Sequence, residues 1–265
     1  MTRTREAIEL RGATPSEAAL AAARRSPIVD ADGVTFVYHG AADAVNLRCW
    51  IHGLPASQPF ERVGEADLWV LRVELPENSR IEYKFEVVRD GQEEWILDPL
   101  NPLQAADPFG ANSVAQGHGY ERPEWTLADP AARPGTVDEV ALKSAALGDD
   151  RHVGVYVPAR FRRSRRYPLL VVHDGYDYLR YASLRVVLDN LIHRLEIPPL
   201  IAALTQSSER LVEYAGHDGH ARFVAQELPA QLEHDFPLHS SPAARGLMGA
   251  SFGAVASLHA AWRHP

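Results

Sequence analysis

Hydrophobic and polar positions change their spacing about halfway along the chain. Over residues 33–120 the apolar side chains come in short β-branched and aromatic runs divided by turn residues. Val34–Tyr38, Val45–Ile51, Leu68–Val73 and Ile81–Val88 each read as a strand. His39-Gly40, Gly53-Leu54-Pro55 and Arg89-Asp90-Gly91 read as the turns. Short strands at this spacing predict a β-sandwich. Trp50, Trp69 and Trp95 are its large apolar contributors, expected in the core or at a domain interface. An exposed aromatic platform for sugar is the alternative.

Beyond residue 136 strands alternate with helices. Val153–Val157 reads as a strand, and Leu169–Val172 as one buried on both faces of a parallel sheet. Residues 182–195 put Leu184, Val187, Leu188, Leu191, Ile192 and Leu195 on one helical face, and Pro198-Pro199 ends that helix. Leu200–Leu204 is the next strand. A helix follows over about 219–234, with Pro229 expected to kink or break it. This alternation places residues 137–265 in the α/β class. The proline-rich stretch 121–136 reads as a linker, and residues 16–25 as a short helix capped by Ser16.

Composition changes this picture little. The chain has 265 residues, 46% hydrophobic and 23% charged, as in ordinary globular proteins. A net charge of −8 offers no basic field for nucleic acid or an anionic membrane. No run approaches the ~18 apolar residues of a membrane span. Residues 1–25 carry no signal-type apolar core, so the expected location is the cytoplasm. Cys49 is the sole cysteine and is expected to be a small buried strand residue. No metal cluster or cofactor motif is present in the sequence.

The chemistry lies near the end. Gly249-Ala250-Ser251-Phe252-Gly253 matches G-x-S-x-G, follows Leu247-Met248 and precedes a helix over residues 252–263. A strand-to-helix bend would strain the serine, and the two glycines would let strand and helix approach. Ser251 is thus the candidate nucleophile. The Phe252 N–H is one oxyanion donor. The second candidate is the Tyr176 N–H, after the strand ending at His173-Asp174-Gly175; a plain tight turn is the alternative there. A proton acceptor is harder to find. Only fourteen residues follow Ser251, none of them Asp or Glu. His193 and His234 are expected to face solvent. His217 and His220 flank Asp218-Gly219 in a loop that could bend toward the site. His259 and His264 are expected to point away from it.

These residues resemble the enterochelin (enterobactin) esterases, within the broader esterase group of α/β-hydrolases. In the first half the likeness rests on Asp67-Leu68-Trp69, Tyr83-Lys84-Phe85, Leu97–Pro102 and Asn112-Ser113-Val114. In the second it rests on Val155–Pro158, His173-Asp174-Gly175, Leu188–Ile192, Arg210 with Glu213-Tyr214, Glu227-Leu228-Pro229 and Gly249–Gly253, all in family order. It covers about residues 30–265.

The resemblance implies a multi-domain fold. An N-terminal helical extension (1–29) precedes an early-set immunoglobulin-like β-sandwich (30–120). A linker (121–136) leads to a doubly wound, three-layer α/β-hydrolase domain (137–265) that is incomplete. It also implies intracellular hydrolysis of a ferric siderophore, a cyclic tri-ester of N-acylated serine, without a cofactor. Alternatives are another acyl esterase acting on carbohydrate or phenolic esters, and a carbohydrate-binding protein with a decayed hydrolase half.

Family members carry later strands bearing an acid and then a histidine, and residue 254 is Ala where glycine is common. The chain is therefore expected to be nearly inactive alone, as a fragment of a longer protein or one completed by a second polypeptide. Its elbow strand is expected to form an open edge suited to self-association. The arginines at 160, 162, 163, 165 and 166 are expected to be a solvated loop, with a siderophore clamp as the alternative.

Overall fold

The computed structural model describes residues 24–49, 55–207 and 209–265. The chain divides into two compact units, Met1–Arg122 and Pro123–Pro265.

The first unit holds two antiparallel sheets. One has the order β1-β2-β6-β5, from β1 (Ile28–Asp30), β2 (Gly33–His39), β5 (Glu61–Arg62) and β6 (Leu68–Val73). The other runs β4-β3-β7-β10-β9, from β3 (Ala44–Cys49), β4 (Ser57–Pro59), β7 (Arg80–Arg89), β9 (Gln104–Asp107) and β10 (Gly110–Gln116). β8 (Gln92–Ile96) pairs with β7. Alternation explains the inner face: Val45, Leu47 and Cys49 of β3 point inward with Tyr83, Phe85 and Val87 of β7. Phe36 of β2 meets Tyr83 edge-on at 4.8 Å, so both sheets share one core.

The sequence signal found the apolar strands and missed β1 (three residues) and the more polar β4, β5, β8, β9 and β10, whose outward residues break the pattern. Trp69 is buried at 6% exposure. Trp95, expected with it, is 46% exposed, its indole N–H donating to Glu86 at 3.0 Å on the outward face. Trp50, the Gly53-Leu54 turn residues and residues 16–23 lie outside the described residues. Residues 24 and 25 are not helical.

The second unit is built on one mixed sheet, ordered β11-β12-β14-β13-β15. Its strands are β11 (Thr136–Ser144), β12 (Asp149–Val157), β13 (Leu169–His173), β14 (Ile201–Thr205) and β15 (Arg245–Met248). The last three run parallel, and β15 forms one edge. Every residue of β14 is buried, as its unbroken apolar run requires.

The helix expected over 182–195 is α2 (Leu184–His193); a further helix, α1 (Gly175–Tyr181), precedes it, and Ser183 between them takes a left-handed φ of 51°. The stretch read as a linker is partly anchored. Asn190 of α2 donates to the carbonyls of Trp125 and Leu127 at 2.9 and 2.6 Å. A short α3 (Arg210–Glu213) precedes the run 218–235. That run is α4 (Asp218–Arg222), a π turn (Phe223–Glu227) and α5 (Leu228–Asp235). Pro229 has no N–H and its ring crowds the carbonyl four residues back, so the widened turn takes the place of the expected kink. The final helix is α6 (Phe252–Arg263). Among the described residues no helix is long and apolar enough to cross a membrane.

Candidate active site

Two neighbouring parallel strands, β13 and β15, each end in a tight turn into a helix. The turn after β15 is Gly249–Ser251. Ser251 has φ 52° and ψ −122°, a conformation that costs a non-glycine residue about 1–3 kcal/mol. Gly249 packs against the backbone of Gly253, and a side chain at 249 would overlap it. A Cβ on Gly253 would sit 3.2 Å from His173 Cβ. The two glycines thus let β15, α6 and the end of β13 close together, and the surrounding packing holds the serine in its strain.

Ser251 is exposed and begins a helix of 12 residues whose N-terminal dipole favours negative charge beside it. The Phe252 N–H makes no hydrogen bond among the described residues. The same holds for the Tyr176 N–H, in the first turn of α1 after β13. Tyr176 is held by its hydroxyl, which donates to Glu139 at 3.0 Å. Burial, then that bond, pushes its pKa up to about 12.

Asp174, between β13 and α1, takes φ 57°. Arg210 of α3 clamps its carboxylate, with Nε at 3.0 Å from both oxygens. The same guanidinium stands 5.8 Å from the centre of the Phe252 ring, so one cation lies beside the serine turn.

Beneath the turn runs a buried polar chain. Arg151 grips Glu213 through two nitrogens, at 3.0 and 2.5 Å. Glu213 Oε2 faces His220 Nδ1 at 3.6 Å, and His220 Nε2 meets His173 Nε2 at 3.0 Å. His173 Nδ1 reaches the Met248 carbonyl at 3.3 Å and Ser257 Oγ at 3.1 Å. A carbonyl only accepts, so Nδ1 of His173 carries the proton and its Nε2 accepts from His220. Burial, then the charge of His220, lowers the His173 pKa to about 4. Burial would raise Glu213, but the facing His220 ring and Arg151 outweigh it and hold Glu213 at about 2.

These contacts settle where the histidines are. Ser251 Oγ has no hydrogen-bond partner among the described residues. His217 and His220, expected in a bendable loop, instead cap and enter α4. His217 Nδ1 accepts from the His220 N–H at 3.2 Å. His259 is 3.0 Å from Asp218, and His264 is 3.2 Å from Gln226. The His173–His220 pair and the Asp174–Arg210 clamp were not foreseen. Both histidines were visible as residues, but nothing local announced a contact across 47 positions.

Comparison with known proteins fits this geometry. Residues 144–265 match the family model described as "Putative esterase". The chain is 24% identical over 233 residues to the iron(III) enterobactin esterase of Escherichia coli, covering 78% of this chain and 58% of that protein. It is 28% identical over 142 residues to the uncharacterized protein YjcH of Bacillus subtilis, covering 51% and 59%. The chain thus spans less than two thirds of the length of these curated relatives.

Among solved structures, the enterobactin esterase of Shigella flexneri superposes with TM-score 0.68 at 22% identity, over 96% of this chain and 74% of that one. The ferric enterobactin esterase of Salmonella typhimurium gives 0.70 at 20%, over 92% and 73%. Residues 144–265 are thus similar to the esterase family, and the chain shares the fold of the enterobactin esterases.

Proposed function

We propose that this chain carries the nucleophile and oxyanion site of a serine carboxylic-ester hydrolase acting on a ferric siderophore tri-ester. On this reading the first unit is the immunoglobulin-like module and the second the α/β-hydrolase domain, with the reaction in the cytoplasm. The carrying observation is Ser251 at φ 52° on the turn into α6, with the Phe252 N–H free beside it. Ser251 Oγ attacks the ester carbonyl. The Phe252 and Tyr176 N–H groups hold the oxyanion, and the acyl-serine is then released by water. The α6 dipole adds positive potential suited to an anionic substrate.

No described histidine contacts Ser251 Oγ, so its proton goes to a base outside the set described above. Loss of a triad member costs on the order of 10⁴–10⁶ in rate, leaving roughly 10³–10⁴ over water. The purified chain should therefore hydrolyse an activated aryl ester only slowly, and Ser251→Ala should remove that residue of activity. Ordinary esterase turnover by the chain would overturn the assignment of the base. A slow rate unchanged by Ser251→Ala would overturn the nucleophile.

A further inference from the structure

The five arginines of the loop joining β12 to β13 differ in what they do. Arg163 donates to the Asp235 carbonyl at 3.2 Å and Arg166 to the Leu238 carbonyl at 2.7 Å, tying this loop to the end of α5 and the chain beyond it. Arg160 and Arg165 instead line a cavity of about 240 Å³, joined there by Arg133 from the segment before β11. None of these three guanidinium groups has a carboxylate partner among the described residues. Arg165 has only the Tyr167 ring, 5.7 Å away. Three guanidinium groups against a single carboxylate, Asp189, line this cavity on a chain of net charge −8.

Ile192 and Pro199 add apolar lining to the same cavity, and Asp189 of α2 lines it too. Asp189 is buried at 8% exposure. Its Oδ1 accepts from the Gly135 N–H and the Tyr156 hydroxyl, both at 2.8 Å. Its Oδ2 has no hydrogen-bond partner among the described residues, so it is free to accept from a ligand. The cavity lies far from Ser251. Tyr156 pairs with Ala202, near the start of β14, whereas Ser251 follows the ends of the parallel strands. Five residues of strand separate the two ends by roughly 15 Å.

We propose that this cavity binds a compact hydroxylated oxyanion, its anionic group held by Arg133, Arg160 and Arg165 and a hydroxyl by Asp189 Oδ2. Guanidinium forks match paired oxygens. A hydroxyl satisfies the open carboxylate oxygen, and the volume is below that of drug-sized sites. A sugar phosphate and a hydroxycarboxylate share this chemistry. The site is independent of the ester reading.

Calorimetric titration of the full chain at low ionic strength tests it, with glucose 6-phosphate, citrate, inorganic phosphate and glucose as probes. Glucose 6-phosphate or citrate should bind, and which of them does assigns phosphate or carboxylate as the anion source. Inorganic phosphate and glucose should each bind at least about tenfold more weakly. The double variant Arg160→Ala/Arg165→Ala, its fold checked by circular dichroism, should lose at least about tenfold in affinity. Arg180→Ala, which removes an exposed charge elsewhere in the same unit, should bind as the parent does. Failure of both hydroxylated anions to bind would overturn the proposal. So would phosphate binding as tightly as they do, or equal weakening by Arg180→Ala.

Discussion

The two units bury polar groups for different ends. In the first, Tyr83, Asp98, Asn101 and Ser113 form a closed cluster. The Tyr83 hydroxyl donates to Asp98 at 2.7 Å, Asn101 donates to Tyr83 at 2.9 Å, and Ser113 Oγ accepts from the Asp98 N–H at 2.9 Å. That cluster fastens the 98–101 loop to the sheet. In the second, the chain Arg151–Glu213–His220–His173 leaves His220 Nδ1 buried without a hydrogen-bond partner, and it lies beneath a strained serine. The satisfied network fastens a loop, whereas the one with an unpartnered nitrogen lies beneath a strained turn.

Acid should separate the units most sharply. His173 has its folded pKa lowered from 6.5 to about 4, so the unfolded chain binds the extra proton first. The stability tied to its neutral form is complete above about pH 6.5 and is lost as pH falls toward 4, on the order of 3 kcal/mol. Glu213, lowered from 4.5 to about 2, adds a further loss between those values. Asp98 of the first unit is raised by burial, the opposite sign, so its folded form gains as pH falls toward its unfolded value. Amide exchange at pH 7 and pH 4 should show β13, β14 and β15 losing protection while β3 and β7 keep theirs. Equal loss in both units would break the comparison.

A smaller effect concerns strain. Ser251→Gly removes the penalty at φ 52° and should stabilise the second unit by about 1 kcal/mol in denaturant unfolding. Asn78, at φ 60° in the first unit, is a residue type that tolerates this region, so Asn78→Gly should stay within about 0.5 kcal/mol. A destabilising Ser251→Gly would show that the turn is relaxed.

Much of this was legible in the sequence. Apolar alternation marks β2, β3, β6 and β7, and the glycines at 249 and 253 mark the turn before α6 because close backbone approach demands them. β8, reading Gln-Glu-Glu-Trp-Ile, was invisible because its exposed residues carry no apolar period. β11 was missed although Val140 and Leu142 face the core, because charged residues stand beside them. The Arg151–Glu213–His220–His173 chain joins four separate elements, and its meaning lies wholly in tertiary contact.

The most direct measurement is to trap the acyl group. The chain is incubated with an activated aryl ester, quenched in acid and mapped by peptide mass spectrometry. The account predicts a single acyl adduct on Ser251, absent from Ser251→Ala. An adduct elsewhere, with Ser251 unmodified, would contradict it.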